Sequence, residues 1–326
     1  MAHILQEDAT RFVLFPVRYP KLFERYEQHL SCFWNTKECD LSQDRTGFDT
    51  LTTVEQDFLL DVLGFFAASD GIIIENIMCN FQTEVMVPEA RAFYSIQNAI
   101  ENIHSQQYSL LIETFAPDEA RRTELFQAVE RHKTTKAKAD WAIGHMQRDT
   151  SIDKVTDFSK RLIAFACVEG IMFSSSFAAI FFFKNRGIQM PGLFLSNEFI
   201  ARDEGLHRDF AVDLYQEFPR LPAQEVAEIV RSAVKVEQDF VKEILPTKLA
   251  GMNSTLMCAY VEYVADHLMV ALGYEKVYET KMPALFGFMT MLSLEGKTNF
   301  FERRVSEYGL AGVGESNNTF SLDSSF

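Results

Sequence analysis

The motif Glu-x-x-His occurs twice in this chain, as Glu101-Asn102-Ile103-His104 and as Glu204-Gly205-Leu206-His207. Residues three apart share one face of a helix, so each motif can direct one carboxylate oxygen and one imidazole nitrogen into the same space. An apolar run upstream of each copy carries a single acid, Asp70 before the first and Glu169 before the second. Two such pairs with two single carboxylates make the ligand set of a dinuclear metal site in a four-helix bundle. Hard oxygens with only two imidazoles suit iron or manganese, whereas thiolate-rich sets favour zinc or iron–sulfur clusters. None of the five cysteines is spaced to join. Unpaired acids in apolar surroundings face a large desolvation cost, and coordination gives them a physical reason to be there.

Tyr108 follows His104 by four residues, which sets it on the same helix face about one turn further on. A phenol there stands beside the metals and can be oxidised, although an ordinary core tyrosine has the same spacing. Around Glu169 the face continues through Phe173 and Phe177, which suit a dry pocket around a radical and equally suit plain core packing.

Such residues need long helices to hold them. Helical periodicity runs over 52–82, 86–115, 118–147, 153–184, 192–217, 222–245, 250–273 and 283–307. Pro88, Pro117, Pro191, Pro219, Pro222, Pro246 and Pro283 fall at or near the proposed ends, as expected of a residue that breaks helix interiors. Nothing reads as a regular series of strands, so the fold class is all-α. The carboxylate-then-Glu/His pattern recurs in both halves of the central region, consistent with two helix pairs facing each other across a core. Leu162 to Phe183 is long and apolar enough to resemble a membrane span. Glu169 sits inside it and Ser174, Ser175 and Ser176 interrupt it, so it reads as the buried centre of a soluble bundle.

With 326 residues and 47% hydrophobic content, the chain can bury a sizeable core. Its 31 basic and 46 acidic residues give a net charge of −15, which disfavours nucleic acid or an anionic membrane as partner and favours small molecules or proteins. Cys32, Cys39, Cys79, Cys167 and Cys258 show no clustering, and the first residues lack a signal-peptide pattern, so a reducing, cytoplasmic setting is expected. After about residue 308 the sequence turns to Gly, Ser and Asn and ends in Phe320-Ser-Leu-Asp-Ser-Ser-Phe326, which reads as a flexible tail with apolar anchors.

Several runs together resemble a known family: Phe65-Phe-Ala-Ala-Ser-Asp70-Gly, Glu101-Asn-Ile-His-Ser-Gln-Gln-Tyr108, Val168-Glu-Gly-Ile-Met-Phe173, Ser196-Asn-Glu-Phe-Ile-Ala-Arg-Asp-Glu-Gly-Leu-His207 and Ser293-Leu-Glu-Gly-Lys-Thr-Asn-Phe-Phe-Glu302. Over nearly the whole chain the sequence is similar to the small, radical-generating subunit of class I ribonucleotide reductase in its eukaryotic and viral form. The resemblance implies a ferritin-like helical bundle over 51–308, with an N-terminal arm and loop over 1–50 carrying Trp34 and a tail over 309–326. It implies that Asp70, Glu101 and His104 hold one iron and Glu169, Glu204 and His207 the other, manganese not being excluded. Tyr108 is then the stable radical, with Phe173 and Phe177 in its pocket.

The resemblance further implies an electron and proton relay through His104, Asp203 and Trp34. It implies that Tyr308 passes the oxidising equivalent to a large subunit that reduces ribonucleotides. Phe320, Leu322 and Phe326 resemble the family's large-subunit-binding peptide, and family members are homodimers. Gln106, Gln107 and Met172 depart from the usual eukaryotic pattern, but no ligand and no radical tyrosine is lost. Two other readings share the ligand pattern. One is a bundle oxidase such as a desaturase or ferroxidase, set apart by Tyr108 and the tail; the other is a radical-free structural paralogue, set apart by the six intact ligands.

Overall fold

The computed structural model describes residues 3–289 apart from residues 8, 10, 11 and 246–250. Its helices are α1 (Pro20–Ser31), α2 (Asp44–Phe48), α3 (Thr53–Asn76), α4 (Gln82–Glu84), α5 (Pro88–Phe115), α6 (Glu119–Phe126) and α7 (Ala128–Arg131), followed by α8 (Lys133–Met146), α9 (Lys154–Cys167), α10 (Ser174–Asn185), α11 (Pro191–Tyr215), α12 (Ala223–Ile244) and α13 (Ser254–Ala271). No strand occurs among the described residues, and the fold is an all-α, ferritin-like bundle.

Local chemistry sets where the long helices begin. Thr52 and Glu55 cap α3 reciprocally: the Glu55 amide donates to the Thr52 hydroxyl and the Thr52 amide donates to the Glu55 carboxylate at 2.9 Å. Pro88 and Pro191 occupy the first turns of α5 and α11, where a missing N–H leaves nothing unpaired. Asp153 caps α9 by accepting from the Val155 and Thr156 amides.

Four helical segments meet at the centre. Asp70 lies on α3, Glu101, His104 and Tyr108 on α5, Glu169 between α9 and α10, and Glu204 with His207 on α11. α5 packs against α3 and α1, and α11 against α9, α1 and α5, while α8, α12 and α13 cover the remaining flank. The apolar stretch Lys154–Asn185 is long enough to cross a membrane by composition, yet 94% of its window is buried inside the protein, as befits a central bundle helix.

Three features depart from the sequence expectation. The expected helix over 153–184 is divided by a π-helical turn, Val168–Met172, and the one over 52–82 runs through a second, Ile77–Phe81, into α4. A π turn accommodates one extra residue without ending the helix, so apolar periodicity on either side does not betray it. The expected helix over 118–147 is three pieces, because the chain bends at Gln127 and His132 without the glycine or proline that marks a break. Within the segment expected as arm and loop, α1 forms with Leu22 and His29 buried and a charged outer face. Most of the helix expected over 283–307 lies outside the described residues.

Candidate metal centre

The six sequence-selected ligands are all buried: Glu101, His104 and His207 are fully enclosed, and Asp70, Glu169 and Glu204 are at most 4% exposed. Ligand atoms of Glu101, Glu169, Glu204 and His207 lie within 4.8 Å of one another. His104 joins them, its Nδ1 standing 3.4 Å from Glu101 Oε2 and 3.2 Å from Glu204 Oε1. His207 Nδ1 lies 3.0 Å from Glu101 Oε1, 3.3 Å from Glu204 Oε2 and 3.8 Å from Glu169 Oε2. Glu101 and Glu204 therefore each approach both imidazoles and occupy the ground between them, where a carboxylate can serve two ions. Asp70 stands outside the tight group of four, but it is buried and feels the charges of Glu101, His104, Glu204 and His207.

The donor atoms fit metal ions better than they fit each other. Both oxygens of Glu101, one each of Asp70 and Glu169, and Nδ1 of His104 are buried without a hydrogen-bond partner. Several are at contact distance yet misaligned, as lone pairs are when they converge on a shared centre. Leaving so many polar atoms unpaired in an interior costs several kcal/mol unless cations complete them. Two divalent cations would neutralise the formal charge of the four ionised carboxylates, and the oxygen-rich set with two imidazoles is that of hard or borderline metals.

Electrostatics of the group reflect this crowding. Burial, then the charge of Glu101, raises the Asp70 carboxyl well above the usual range; burial, then Glu204, does the same to Glu169. Burial opposes protonation of His104 and His207, but the carboxylates around each outweigh it and raise both imidazoles well above 6.5.

A second layer orients these groups. His104 Nε2 lies 3.1 Å from Asp203 Oδ2, and the same oxygen accepts from Trp34 Nε1 at 2.8 Å. The indole is 1% exposed and stacks near the His104 ring at 6.1 Å. Arg202 donates to the other oxygen of Asp203 at 2.8 Å and 3.1 Å. Burial alone raises the Asp203 carboxyl, but the Arg202 charge and the His104 hydrogen bond together hold it far below the usual carboxylate range. Gln97 Nε2 donates to Glu169 Oε1 at 3.0 Å.

Tyr108 is fully buried, and its hydroxyl donates to Asn197 Oδ1 at 3.2 Å. The Asn197 amide donates to Leu193 O at 2.9 Å, which fixes the accepting oxygen toward the phenol. Phe66 stacks on the Tyr108 ring at 4.5 Å and 3°, and Phe173 and Phe177 stand behind Phe66 at 5.6 Å and 4.9 Å. The two phenylalanines chosen from sequence thus wall the pocket through a third. Burial, then the charge of Asp70, pushes the phenol pKa well above 10.

Gln97, Phe66, Asn197, Arg202 and His29 escaped the sequence reading. Gln97 precedes Glu101 by four residues and Phe66 precedes Asp70 by four, so helical spacing from a ligand was an available signal. Asn197 lies two turns before Glu204 on the same face, and Arg202 adjoins Asp203 in sequence. His29 had no such signal; burial, then the neighbouring His207, pushes its imidazole down to about 3. Tyr308, Phe320, Leu322 and Phe326 lie outside the described residues.

A helical bundle that gathers two Glu-x-x-His pairs and two further carboxylates around one buried centre belongs to the dinuclear carboxylate class of ferritin-like proteins. A family profile described as "Ribonucleotide reductase, small chain" matches residues 11–283. The chain is 49% identical to the ribonucleoside-diphosphate reductase subunit M2 of Danio rerio over 99% of its own length and 82% of that protein's. It is also 49% identical to the ribonucleoside-diphosphate reductase small chain of Nicotiana tabacum, over 99% and 98% of the two chains. Among solved structures, the ribonucleotide reductase Rnr4 homodimer from Saccharomyces cerevisiae superposes with a TM-score of 0.78 at 29% identity, covering 94% of this chain and 92% of that one. The chain belongs to the ribonucleotide reductase small-chain family, and its activity is that of an oxidoreductase, as the small subunit of a ribonucleoside-diphosphate reductase.

Proposed function

We propose that this small subunit generates the radical on which ribonucleotide reduction depends. Asp70, Glu101 and His104 would hold one metal ion, Glu169, Glu204 and His207 a second, and Tyr108 is the residue oxidised beside them. When bound, a pair of iron ions supplies the reduction of dioxygen and with it a one-electron oxidant for the phenol; manganese suits the same donors. The observation that carries this reading is the convergence of unpartnered carboxylate and imidazole atoms in a dry interior next to one buried phenol.

The protein's own groups set how Tyr108 reacts. Its raised pKa makes the phenolate inaccessible near neutral pH, so loss of the electron must accompany loss of the phenolic proton, leaving a neutral radical. Asn197 holds the hydroxyl, and Phe66, Phe173 and Phe177 exclude water and reductants from it. Because His104, Asp203 and Trp34 are in unbroken hydrogen-bond contact, they support an electron and proton relay leading from the metal centre to the indole. Tyr308 continues that relay to the large subunit, which reduces ribonucleotides to deoxyribonucleotides. The reading includes residues 1–50 as the arm that brings Trp34 to the bundle, residues 51–308 as the helical domain and residues 309–326 as the large-subunit-binding tail. It also includes a homodimer, as in the yeast structure, and a cytoplasmic setting.

Anaerobic loading with ferrous iron followed by oxygen tests the proposal. Wild-type protein gives a tyrosyl signal in electron paramagnetic resonance, and Tyr108→Phe binds the same amount of iron and gives none. A wild-type protein with two irons per chain and no radical contradicts the reading.

A further inference from the structure

His29 is fully buried on α1, at the side of the bundle where α1 lies across α5 and α11. Arg25, one turn earlier, fixes that side by donating to Asp213 of α11 at 2.7 Å. The His29 ring sits against Phe93 at 5.5 Å and against His207 at 4.9 Å. Its Nε2 is 2.8 Å from Nε2 of His207, while its Nδ1 has no hydrogen-bond partner.

Two ring nitrogens at that separation can be in contact only if one carries a proton and the other a lone pair. His207 turns its Nδ1 toward Glu101, Glu204 and Glu169, so Nδ1 is its metal-facing nitrogen and must present a lone pair. Its proton is then on Nε2, which donates to His29. His29 must be a neutral imidazole protonated on Nδ1, an assignment that agrees with its full burial.

We propose that His29 is a positioning residue that locks His207 into the tautomer able to bind metal, and that it makes the two metal positions unequal. The proposal rests on the dinuclear reading above. The inequality follows from comparing the two histidines. His104 is backed by Asp203, a carboxylate kept anionic by Arg202, which strengthens the imidazole as a donor. His207 is backed by a neutral ring, which orients it without adding negative charge. The ion held through His207 is therefore the weaker of the two and loads second.

Equilibrium dialysis of the full chain against graded free Fe(II) in the absence of oxygen tests this without reference to activity. Wild type takes up two ions in two resolved steps. His29→Leu, which removes the acceptor, keeps the first step and weakens the second by roughly 10- to 100-fold, the usual cost of losing such a partner. His29→Gln, whose side-chain carbonyl can accept from His207, restores most of the lost affinity. A Leu variant with both steps unchanged, or a Gln variant no better than Leu, overturns the proposal, the latter because it makes the ring's role mere packing. Wild type that takes up no iron overturns the dinuclear reading and this inference with it. Nitrogen-15 shifts of the imidazoles in Zn(II)-loaded wild type give a check that needs no variant: His29 carries its proton on Nδ1 and His207 on Nε2, and the opposite assignment for His29 refutes the idea.

Discussion

At the scale of single residues, the cluster's protons and its metal ions compete for the same atoms. His104 and His207 have imidazoles raised well above 6.5, and Asp70 and Glu169 have carboxyls raised well above their usual range. These groups hold their protons to higher pH than free carboxyls and imidazoles do, and coordination must displace those protons, so the loaded protein binds fewer protons than the metal-free one. By linkage, affinity for Fe(II) rises with pH and falls as the solution is acidified. Calorimetric titrations in buffers of different ionisation enthalpy should register proton release on loading; a heat independent of the buffer contradicts it. Asp203 makes a second prediction at this scale, since it accepts four hydrogen bonds from three side chains. Asp203→Asn can keep Trp34 and His104 only by turning its amide toward Arg202, where donor meets donor and the largely buried ion pair is lost. Denaturant unfolding should show a loss of roughly 3–5 kcal/mol, and the affinity of the ion on His104 should fall about 10- to 100-fold. Unchanged unfolding and unchanged iron affinity would remove Asp203 from any orienting role.

At the scale of elements, the π turn Val168–Met172 carries Glu169 and needs support, because widening the helix frees backbone carbonyls. Ser174 Oγ donates to Ile171 O at 2.6 Å and Lys138 Nζ donates to Met172 O at 2.6 Å. The Lys138 ammonium also pairs with buried Glu237 at 2.6 Å and lies 3.4 Å from the Phe65 ring centre. Burial pushes its amine down to about 8 although Glu237 opposes the shift. Lys138→Met should cost roughly 3–5 kcal/mol by stranding Glu237, and the double variant Lys138→Met, Glu237→Leu should recover much of that. Denaturant melts of the three proteins decide it, and a single variant as stable as wild type shows the pair to be dispensable. The same turn shows what a sequence can reveal. The ligand helices were legible because acids interrupt long apolar runs and prolines mark their ends. The π turn was not, since one inserted residue leaves periodicity intact on both sides. α1 escaped although Leu22, Tyr26 and His29 fall at helical spacing on its inner face, because it is only twelve residues long and rich in charge, with Lys21, Glu24, Arg25 and Glu27. The six candidate ligands and Tyr108 could be picked out, while the residues that surround them, Asn197 and His29 among them, depend on contacts between helices far apart in sequence.

At the scale of the whole molecule, the proposed reaction site and the proposed docking peptide occupy separate stretches of the sequence. The metal cluster and the Tyr108 pocket are built from α3, α5, α11 and the segment joining α9 to α10. The terminal peptide Phe320-Ser-Leu-Asp-Ser-Ser-Phe326 lies outside the described residues. In a chain of net charge −15, Phe320, Leu322 and Phe326 give that end three large apolar side chains suited to pockets on a partner. Fully burying one such side chain contributes roughly 1.5–3 kcal/mol, less the ordering cost of the peptide. Removing residues 320–326 should therefore weaken binding to the large subunit by on the order of 100-fold or more. Iron content and the Tyr108 radical signal should stay at wild-type values, because the candidate ligands and Tyr108 all lie between residues 70 and 207. A synthetic peptide of the same seven residues should compete with intact protein for the large subunit. Surface plasmon resonance on the truncated and intact chains separates the alternatives: equal affinities place the docking surface elsewhere, and a truncation that also loses iron ties the tail to the stability of the bundle.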